Sequence, residues 1–204
     1  MTRGTLIVFE GIDGCGKSTQ LRRAAKGLRA RGLEPVETRE PTTGPYGQKI
    51  RAMARSDERV APETELAWFF ADRREHMREV VTPALEAGRV VLSDRSYVST
   101  VAYQGARGLD AARILADSEA EFERPDLILI FELSAAEGLA RVEARGEARE
   151  PAFENLPFQE RVAEAFAALE IPGLARIDAA RAESEIAQQV WAHVRDVLDA
   201  TAAS

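Results

Sequence analysis

Residues 5–19 read TLIVFEGIDGCGKST, and this stretch decides the fold. Its apolar start, residues 5–9, predicts a short buried β-strand, because a continuous apolar run of this length is typical of a strand covered on both faces. The residues that follow, GIDGCGKS at 11–18, have the spacing of a loop that binds nucleotide phosphates between a strand and a helix. Such a loop gathers N–H donors and positive charge around anions, so the carboxylate of Asp13 within it needs an explanation.

Apolar runs and helical patterns alternate along the rest of the chain. The segments that favour strands are 5–9, 34–40, 89–94, 126–133 and 174–178. The segments that favour helices are 17–31, 62–87 and a final helix with an apolar stripe of Ile186, Val190, Trp191, Val194 and Leu198. This alternation predicts an α/β protein of the P-loop NTPase fold. We expect a five-stranded parallel sheet flanked by helices on both faces, with the ligand at the carboxyl ends of the strands.

The composition disfavours several function classes. The chain has 204 residues, enough for one domain, and its 27 Lys and Arg against 34 Asp and Glu give a net charge of −7. This acidic balance argues against nucleic acid as a partner, because binding to it requires basic patches. A single cysteine cannot form an internal disulfide, and the apolar run Leu6–Phe9 is too short for a signal peptide or a membrane span. We therefore expect a soluble, cytoplasmic protein without a membrane partner.

The loop itself indicates how ATP and Mg²⁺ would be held. Lys17 should reach the β- and γ-phosphates, while Ser18 and the strand-end carboxylate of Asp94 should ligate Mg²⁺. Cys15 has two interpretations, a small residue near the start of the helix or a reactive thiol with a lowered pKa. The residues that we expect to contact ATP here are Gly11, Ile12, Asp13, Gly14, Cys15, Gly16, Lys17, Ser18 and Thr19.

Three classes of nucleotide-binding protein fit the loop: a GTPase switch, an ATP-driven motor or transporter subunit, and a small-molecule kinase. The sequence contains neither the N-K-x-D segment with which GTPases read guanine nor the L-S-G-G-Q signature of ABC-type proteins. Arg95 directly follows Asp94, which favours a second phosphate-bearing substrate over a hydrolysing switch. A catalytically inactive nucleotide-binding module is a further alternative, and the presence of Lys17, Ser18 and Asp94 argues against it.

Three more segments add specificity: TREPTTGPYGQKIR (38–51), WFFADRREH (68–76) and DRSYVSTVAYQGARG (94–108). Together with the phosphate loop at 11–19 they resemble the thymidylate kinase family, and the resemblance covers nearly the whole chain. It implies a single nucleoside monophosphate kinase domain over residues 1–204 that phosphorylates dTMP to dTDP with ATP and Mg²⁺, in dTTP synthesis. It also implies a homodimer, formed through long helices such as residues 62–87.

The resemblance assigns five residues to the base and the sugar of the acceptor. Phe69 would stack on the thymine ring, and Arg73, four residues later on the same helix face, would donate to a base carbonyl oxygen. Thr100 and Gln104 would read the N3 edge of the base. Tyr103 would pack under the 2′ carbon of the sugar and disfavour a 2′-hydroxyl. Without the family, Phe69 and Tyr103 could be packing residues and Arg73 part of a solvated face.

The resemblance also explains the carboxylate of the loop. An acid at the position of Asp13 would accept a hydrogen bond from the 3′-hydroxyl of the acceptor sugar, in addition to its place in the ATP loop. Arg39 and Arg95 would bind the acceptor phosphate. Arg51, which lies in the same segment as Arg39, could be a further anion ligand, but we expect it at the surface.

Residues 139–154 resemble the Arg-rich lid of the family's bacterial type, in which the lid supplies the arginine that the phosphate loop lacks. Arg145 and Arg149 would then be catalytic together with Lys17 and Arg95, and Arg181 would belong to an adenine-side loop. A solvated helix of paired Arg and Glu residues is the alternative for the lid. The rival activity is that of a deoxynucleoside kinase acting on thymidine or a related nucleoside, and the several arginines available for an acceptor phosphate argue against it.

Overall fold

A computed structural model describes residues 3–56, 59–146, 153 and 155–202. Its strands form one all-parallel sheet in the order β2-β3-β1-β4-β5, which confirms the predicted α/β fold. The strands are β1 (Leu6–Gly11), β2 (Val36–Arg39), β3 (Val91–Asp94), β4 (Leu127–Glu132) and β5 (Leu174–Asp178). The runs LIVF in β1 and LILIF in β4 are buried throughout, because helices cover both strands.

Helices connect the strands and surround the sheet. They are α1 (Lys17–Ala30), α2 (Pro45–Ala54), α3 (Pro62–His76), α4 (Thr82–Glu86), α5 (Tyr97–Ala106), α6 (Ala111–Glu121), α7 (Ala135–Ala144), α8 (Leu156–Ala167) and α9 (Glu183–Ala202). Side chains cap the N-termini of α5, α6, α7 and α8, where Ser96, Asp110, Ser134 and Asn155 accept from backbone N–H groups. No helix in the described ranges is long and apolar enough to cross a bilayer.

The helix predicted over residues 62–87 is continuous but contains one π-helical turn. A π-helical turn, Met77–Val81, joins α3 to α4. Pro83 follows this turn and has no N–H to donate to the preceding turn, which accounts for a local change in the hydrogen-bond ladder.

The strand register brings the predicted site residues to one edge of the sheet. In the pairing of β1 with β3, Phe9 lies opposite Asp94, and in the pairing of β2 with β3, Arg39 lies opposite the same residue. The phosphate loop leaves β1 at Gly11, directly beside this row. The ends of three adjacent strands therefore carry the loop, a carboxylate and a cation to one place, as expected for a parallel sheet.

Candidate active site

A cleft of about 1140 Å³ opens at the carboxyl ends of the strands. The predicted residues that line it are Asp13, Gly14, Cys15, Gly16, Lys17, Ser18, Thr19, Arg39, Phe69, Asp94, Arg95, Thr100, Tyr103, Arg145 and Arg181. Arg73 and Gln104 are buried directly behind this lining. Arg149 lies outside the described residues, as do most of residues 147–154 of the predicted lid.

The glycines of the phosphate loop have backbone conformations that other residues rarely adopt, and one of them packs closely against another helix. Gly11, Gly14 and Gly16 have φ values of +135°, +82° and +91°. A Cβ on Gly14 would lie 2.1 Å from the carbonyl oxygen of Gly138 in α7. The helix that leads into the predicted lid thus packs against the backbone of the loop, a contact that the sequence pattern did not indicate.

The predicted Mg²⁺ ligands lie next to each other. The Ser18 hydroxyl donates a hydrogen bond to Oδ2 of Asp94, so one hydroxyl and one carboxylate face the same space. The described residues contain no cluster of three acidic, His or Cys side chains that could hold a metal alone. This donor set fits Mg²⁺, which takes one or two protein oxygens and completes its shell with waters and substrate phosphates.

Lys17 and Asp13 are neighbours at the floor of the cleft. Nζ of the buried Lys17 lies 3.3 Å from the carbonyl oxygen of Ile12 and 3.5 Å from Oδ1 of Asp13. Both hydrogen bonds are weak at these distances. The ammonium group is therefore available to phosphates that enter the loop.

Asp13 is the centre of a charged group that joins the phosphate loop to Arg95 and to α5. Arg95 Nη2 donates to its Oδ1 at 2.6 Å, and the Tyr103 hydroxyl donates to its Oδ2 at 3.2 Å. Burial alone would raise the pKa of Asp13, but the charges of Arg95 and Lys17 outweigh it and hold that pKa well below its usual range. Arg95 itself has φ +76°, a strained backbone conformation of the kind that occurs at functional sites.

A buried acid that the sequence analysis did not single out supports Arg95 from behind. Glu10, the last residue before the loop, is fully buried and accepts from Ser96 at 2.7 Å and from Ser99 at 2.5 Å. Ser99 in turn accepts from Arg95 Nη1 at 2.9 Å. Burial raises the pKa of Glu10 to about 7, although both serine hydrogen bonds lower it. The sequence signal that could have identified Glu10 is its carboxyl group within an otherwise apolar strand.

The structure separates the two interpretations of Cys15. The thiol is buried, and burial raises its pKa despite the nearby charge of Lys17. Only a lowered pKa would make this thiol reactive at neutral pH. Burial and the raised pKa both favour the interpretation of Cys15 as a small packing residue over that of a reactive thiol.

The three neighbouring aromatic residues of α3 divide between the core and the cleft. Trp68 and Phe70 pack against the hydrophobic core, and the ring of Phe70 lies 5.3 Å from that of Phe122. Phe69 is half-buried and lines the cleft. Of the three, Phe69 is the ring available to a planar ligand.

Arg73 is not part of a solvated face, since its side chain is only 1% exposed. Its Nε and Nη2 donate to Oε2 of Glu40 at 2.9 and 2.6 Å, and Nη2 also donates to the Thr100 hydroxyl at 2.9 Å. His76 Nδ1 lies 2.9 Å from the other oxygen of Glu40. Burial would raise the pKa of Glu40, but Arg73 and His76 lower it below its ordinary value.

The segment that carries Arg39 is anchored to α3. Asp72 accepts from the backbone N–H of Thr42 at 2.8 Å and from its hydroxyl at 2.6 Å. Arg51 donates to the carbonyl oxygens of Pro41 and Thr42 and lines the cleft. Its assignment to the surface is therefore wrong, because α2 folds back over the segment and brings this guanidinium inward.

Further arginines that line the cleft come from α7 and its C-terminal end and from the segment after β5. Arg145 is exposed at the end of α7, where its Nε donates to the Arg141 carbonyl at 3.3 Å. Arg141 Nη1 donates to the carbonyl of Ala179 at 3.2 Å, and Arg181 lies 3.4 Å from Asp178. Among the described residues no ion pair of Arg145 is found, and the acids at 147, 150 and 154 lie outside them.

Comparisons with known proteins agree with this arrangement. A profile of the family described as Thymidylate kinase matches residues 9–190. A thymidylate kinase of Desulfotalea psychrophila is 40% identical over 196 residues, which cover 96% of both chains. One of Xanthomonas campestris pv. campestris is 41% identical over 191 residues, 94% of this chain and 83% of its own. One of Xanthomonas euvesicatoria pv. vesicatoria is 41% identical over 189 residues, 93% of this chain and 82% of its own.

Proposed function

The chain belongs to the thymidylate kinase family, and on that premise we propose that it transfers the γ-phosphoryl group of ATP to dTMP. The observation that carries the proposal is the family match over residues 9–190, nearly the whole chain. An oxygen of the dTMP phosphate forms a bond to the γ-phosphorus of ATP. The bond from that phosphorus to the β–γ bridging oxygen breaks, and dTDP and ADP are the products.

The cleft offers separate groups to the donor and the acceptor phosphates. On the donor side are the N–H groups of the loop at 11–18 and the ammonium group of Lys17. For the acceptor side the candidates are Arg95, Arg39 and Arg51, which line the same cleft. Ser18 and Asp94 would hold Mg²⁺, which would supply positive charge to the donor phosphates. Phosphoryl transfer depends mainly on placement and charge, and this arrangement provides both.

The acceptor's base and sugar would lie between α3 and α5. Phe69 would stack on the thymine ring, while Arg73 and Thr100, which are hydrogen-bonded to each other at 2.9 Å, would meet its polar edge with Gln104. Tyr103 lies beside Asp13. The 3′-hydroxyl of the sugar would donate to the Asp13 carboxylate, and the Tyr103 ring would leave no room for a hydroxyl on the 2′ carbon.

The lid over residues 139–154 would close over the phosphates once both substrates are bound. Arg145 and Arg149 would then place positive charge on the transferring group and exclude water from it. The position of Arg145 on the rim of the cleft supports this role. Arg181 would border the adenine ring.

The rival activity, phosphorylation of a nucleoside, is not favoured. The three relatives compared above, which cover 93% or more of the chain, are named thymidylate kinases. In addition, a nucleoside has no phosphate to meet Arg39, whose exposed side chain has no ion pair within the described ranges.

An ADP-release assay with dTMP, thymidine, dUMP and dCMP side by side tests the activity. We expect fast turnover of dTMP with ATP and Mg²⁺, and its loss in Lys17→Ala. Fast turnover of thymidine but not of dTMP would make the chain a deoxynucleoside kinase. An absence of turnover with every acceptor would leave a nucleotide-binding module without this activity.

We also propose that the chain acts in the cytoplasm as a homodimer, with residues 62–87 in the contact. The family supports the dimer, and light scattering of the purified chain measures it directly. A monomeric mass at the concentrations used for the activity assay would contradict the proposal.

A further inference from the structure

Two buried polar atoms near the proposed base site have no hydrogen-bond partner among the described residues. They are Nη1 of Arg73, a donor, and Oε1 of Gln104, an acceptor. Native proteins leave few such atoms, and each one needs an explanation, of which a ligand-binding role is one. Thr100 lies between the two side chains, since its hydroxyl accepts from Arg73 and it precedes Gln104 by one turn of α5.

The orientation of the Arg73 donor is fixed by Glu40. The Glu40 carboxylate accepts from Nε and Nη2, and the Thr100 hydroxyl also accepts from Nη2. The N–H groups that remain without an acceptor are therefore those of Nη1. A guanidinium group has donors only, and this atom can therefore meet nothing but an acceptor.

Gln104 differs, because a carboxamide has a donor end and an acceptor end and can turn either way. Here its Nε2 donates to Oε1 of Glu65 at 2.7 Å. Glu65 is fully buried in the first turn of α3, and its other oxygen accepts from Arg107, with Arg59 Nη2 3.9 Å away. An ionised carboxylate can only accept, so it holds the nitrogen of the amide and leaves the oxygen as the free end.

We infer that Glu65 is a positioning residue for base selectivity, which it sets by fixing the Gln104 amide with its oxygen free to accept. This inference rests on the proposed function. A donor beside an acceptor matches the thymine edge, where the O4 carbonyl accepts and N3–H donates. Cytosine presents the reverse pattern, an amino donor and an unprotonated N3. With the amide fixed, a cytosine base leaves Gln104 Oε1 facing a lone pair, which is costly for buried groups.

A purely structural role for Glu65 makes a different prediction. If the carboxylate served only to neutralise Arg107 and anchor α3, its loss would weaken all acceptors alike. Selectivity between two bases of equal shape separates the two roles. The nucleotides dTMP and 5-methyl-dCMP are such a pair, since they differ only at position 4 and in the proton on N3.

The experiment compares the affinities of dTMP, 5-methyl-dCMP and dUMP by calorimetry, together with kcat/KM for each. In Glu65→Gln the new amide can donate or accept, so both orientations of Gln104 become available. We expect the preference for dTMP over 5-methyl-dCMP to fall by at least about tenfold, the worth of one ordinary hydrogen bond. The preference for dTMP over dUMP, which depends on the 5-methyl group, should not change.

Two further variants complete the test. Glu63→Gln removes the same charge from an exposed position on the same helix and should keep the wild-type selectivity. The double variant Glu65→Gln, Gln104→Glu exchanges the two groups, so that a carboxylate at position 104 again presents only oxygen. We expect it to restore the preference for dTMP, which a merely structural role of Glu65 would not predict.

The outcomes distinguish this inference from the proposed function. The inference is overturned if Glu65→Gln has the wild-type selectivity, or if it lowers the preference for dTMP over 5-methyl-dCMP and over dUMP equally. It is also overturned if the wild type binds dTMP and 5-methyl-dCMP with equal affinity. A wild type that binds dTMP selectively but releases no ADP would contradict the proposed function, and the binding ratios would still test the role of Glu65.

Discussion

Arg95 Nη2 lies 2.6 Å from Oδ1 of Asp13, so the loop proposed for the donor nucleotide is joined to a residue proposed for the acceptor. Tyr103 closes the same group, since its hydroxyl accepts from Arg95 and donates to Asp13, both at 3.2 Å. A carboxylate in a phosphate loop is explained by this link. It belongs to the wall that faces the second substrate, and its charge orients the cation there.

The link predicts an asymmetric effect of Asp13→Ala. We expect kcat/KM for dTMP to fall about 10- to 100-fold, the worth of one charge-assisted hydrogen bond. The affinity for ATP should change by less than about threefold, because the loop contacts phosphates through N–H groups and Lys17. Steady-state kinetics with each substrate varied in turn give both numbers. An equal loss for the two substrates would mean that the acid only shapes the loop.

The hydrogen bond from Ser18 to Asp94 predicts that the Mg²⁺ dependence of turnover rests on Asp94. In Asp94→Asn we expect turnover to fall at least about 100-fold and the Mg²⁺ concentration for half-maximal rate to rise, because the charge that holds the ion near the phosphates is lost. A Mg²⁺ titration of the rate measures both effects. Asp117→Asn, an exposed acid of α6, is the matched control and should behave as wild type. A Mg²⁺ dependence that is the same in the two variants would remove Asp94 from the metal site.

Much of this fold could be predicted because its strongest signals are local. The apolar runs of β1 and β4 indicate strands from composition alone, and LARID at 174–178 matches β5 residue for residue. Even the strand over 34–40, with little apolar content, was found, although it is shorter, Val36–Arg39. Its ends are set by pairing with β3, and a partner strand is not visible in the local sequence.

The candidate site was less predictable, because its support is made of distant pairs. Glu40 and Arg73 are 33 residues apart, and Glu65 and Gln104 are 39 apart. Nothing in either neighbourhood shows that the acid will be buried against its partner. The prediction that Arg51 lies at the surface was wrong for the same reason, because only the folding of α2 over residues 41 and 42 turns its side chain inward.

The buried carboxyl of Glu10 predicts a pH-dependent stability. Its pKa is raised from about 4.5 to about 7, so the folded state binds this proton more tightly than the unfolded chain does. The stabilisation is fully present below about pH 4.5 and is lost as the pH rises through about 7. Relative to Glu10→Gln, the free energy of unfolding should fall by about 3 kcal/mol across that window.

Urea denaturation at several pH values between 4.5 and 8 measures this difference. Other titrating groups contribute equally to both proteins and cancel from it. The difference should level off above pH 7, where the carboxyl is ionised in both states. Parallel stability curves for the wild type and Glu10→Gln would show that the acid titrates normally.

The lid arginines can be tested although one of them lies outside the described residues. In Arg145→Ala, Arg149→Ala we expect kcat to fall by about 10³ or more, as for other arginines that act on a transferring phosphoryl group. Nucleotide affinity, measured by calorimetry, should change much less, because the lid acts on the closed complex. Arg113→Ala, an exposed arginine of α6, should leave kcat unaltered. Near-normal turnover of the double variant at saturating ATP would contradict the lid assignment.

The contact between α7 and the phosphate loop depends on the absence of a side chain at Gly138. A Cβ there would lie 2.6 Å from the carbonyl oxygen of Asp13 and 3.0 Å from Cδ1 of Ile12, so Gly138→Ala must push the helix or the loop aside. We expect a loss of about 1–3 kcal/mol in the free energy of unfolding, typical of overpacking, and weaker ATP binding. Gly105→Ala is the control, because its Cβ would meet only the Ala111 side chain, at 3.1 Å. If urea denaturation and ATP titration give the same values for both variants, α7 does not hold the loop in place.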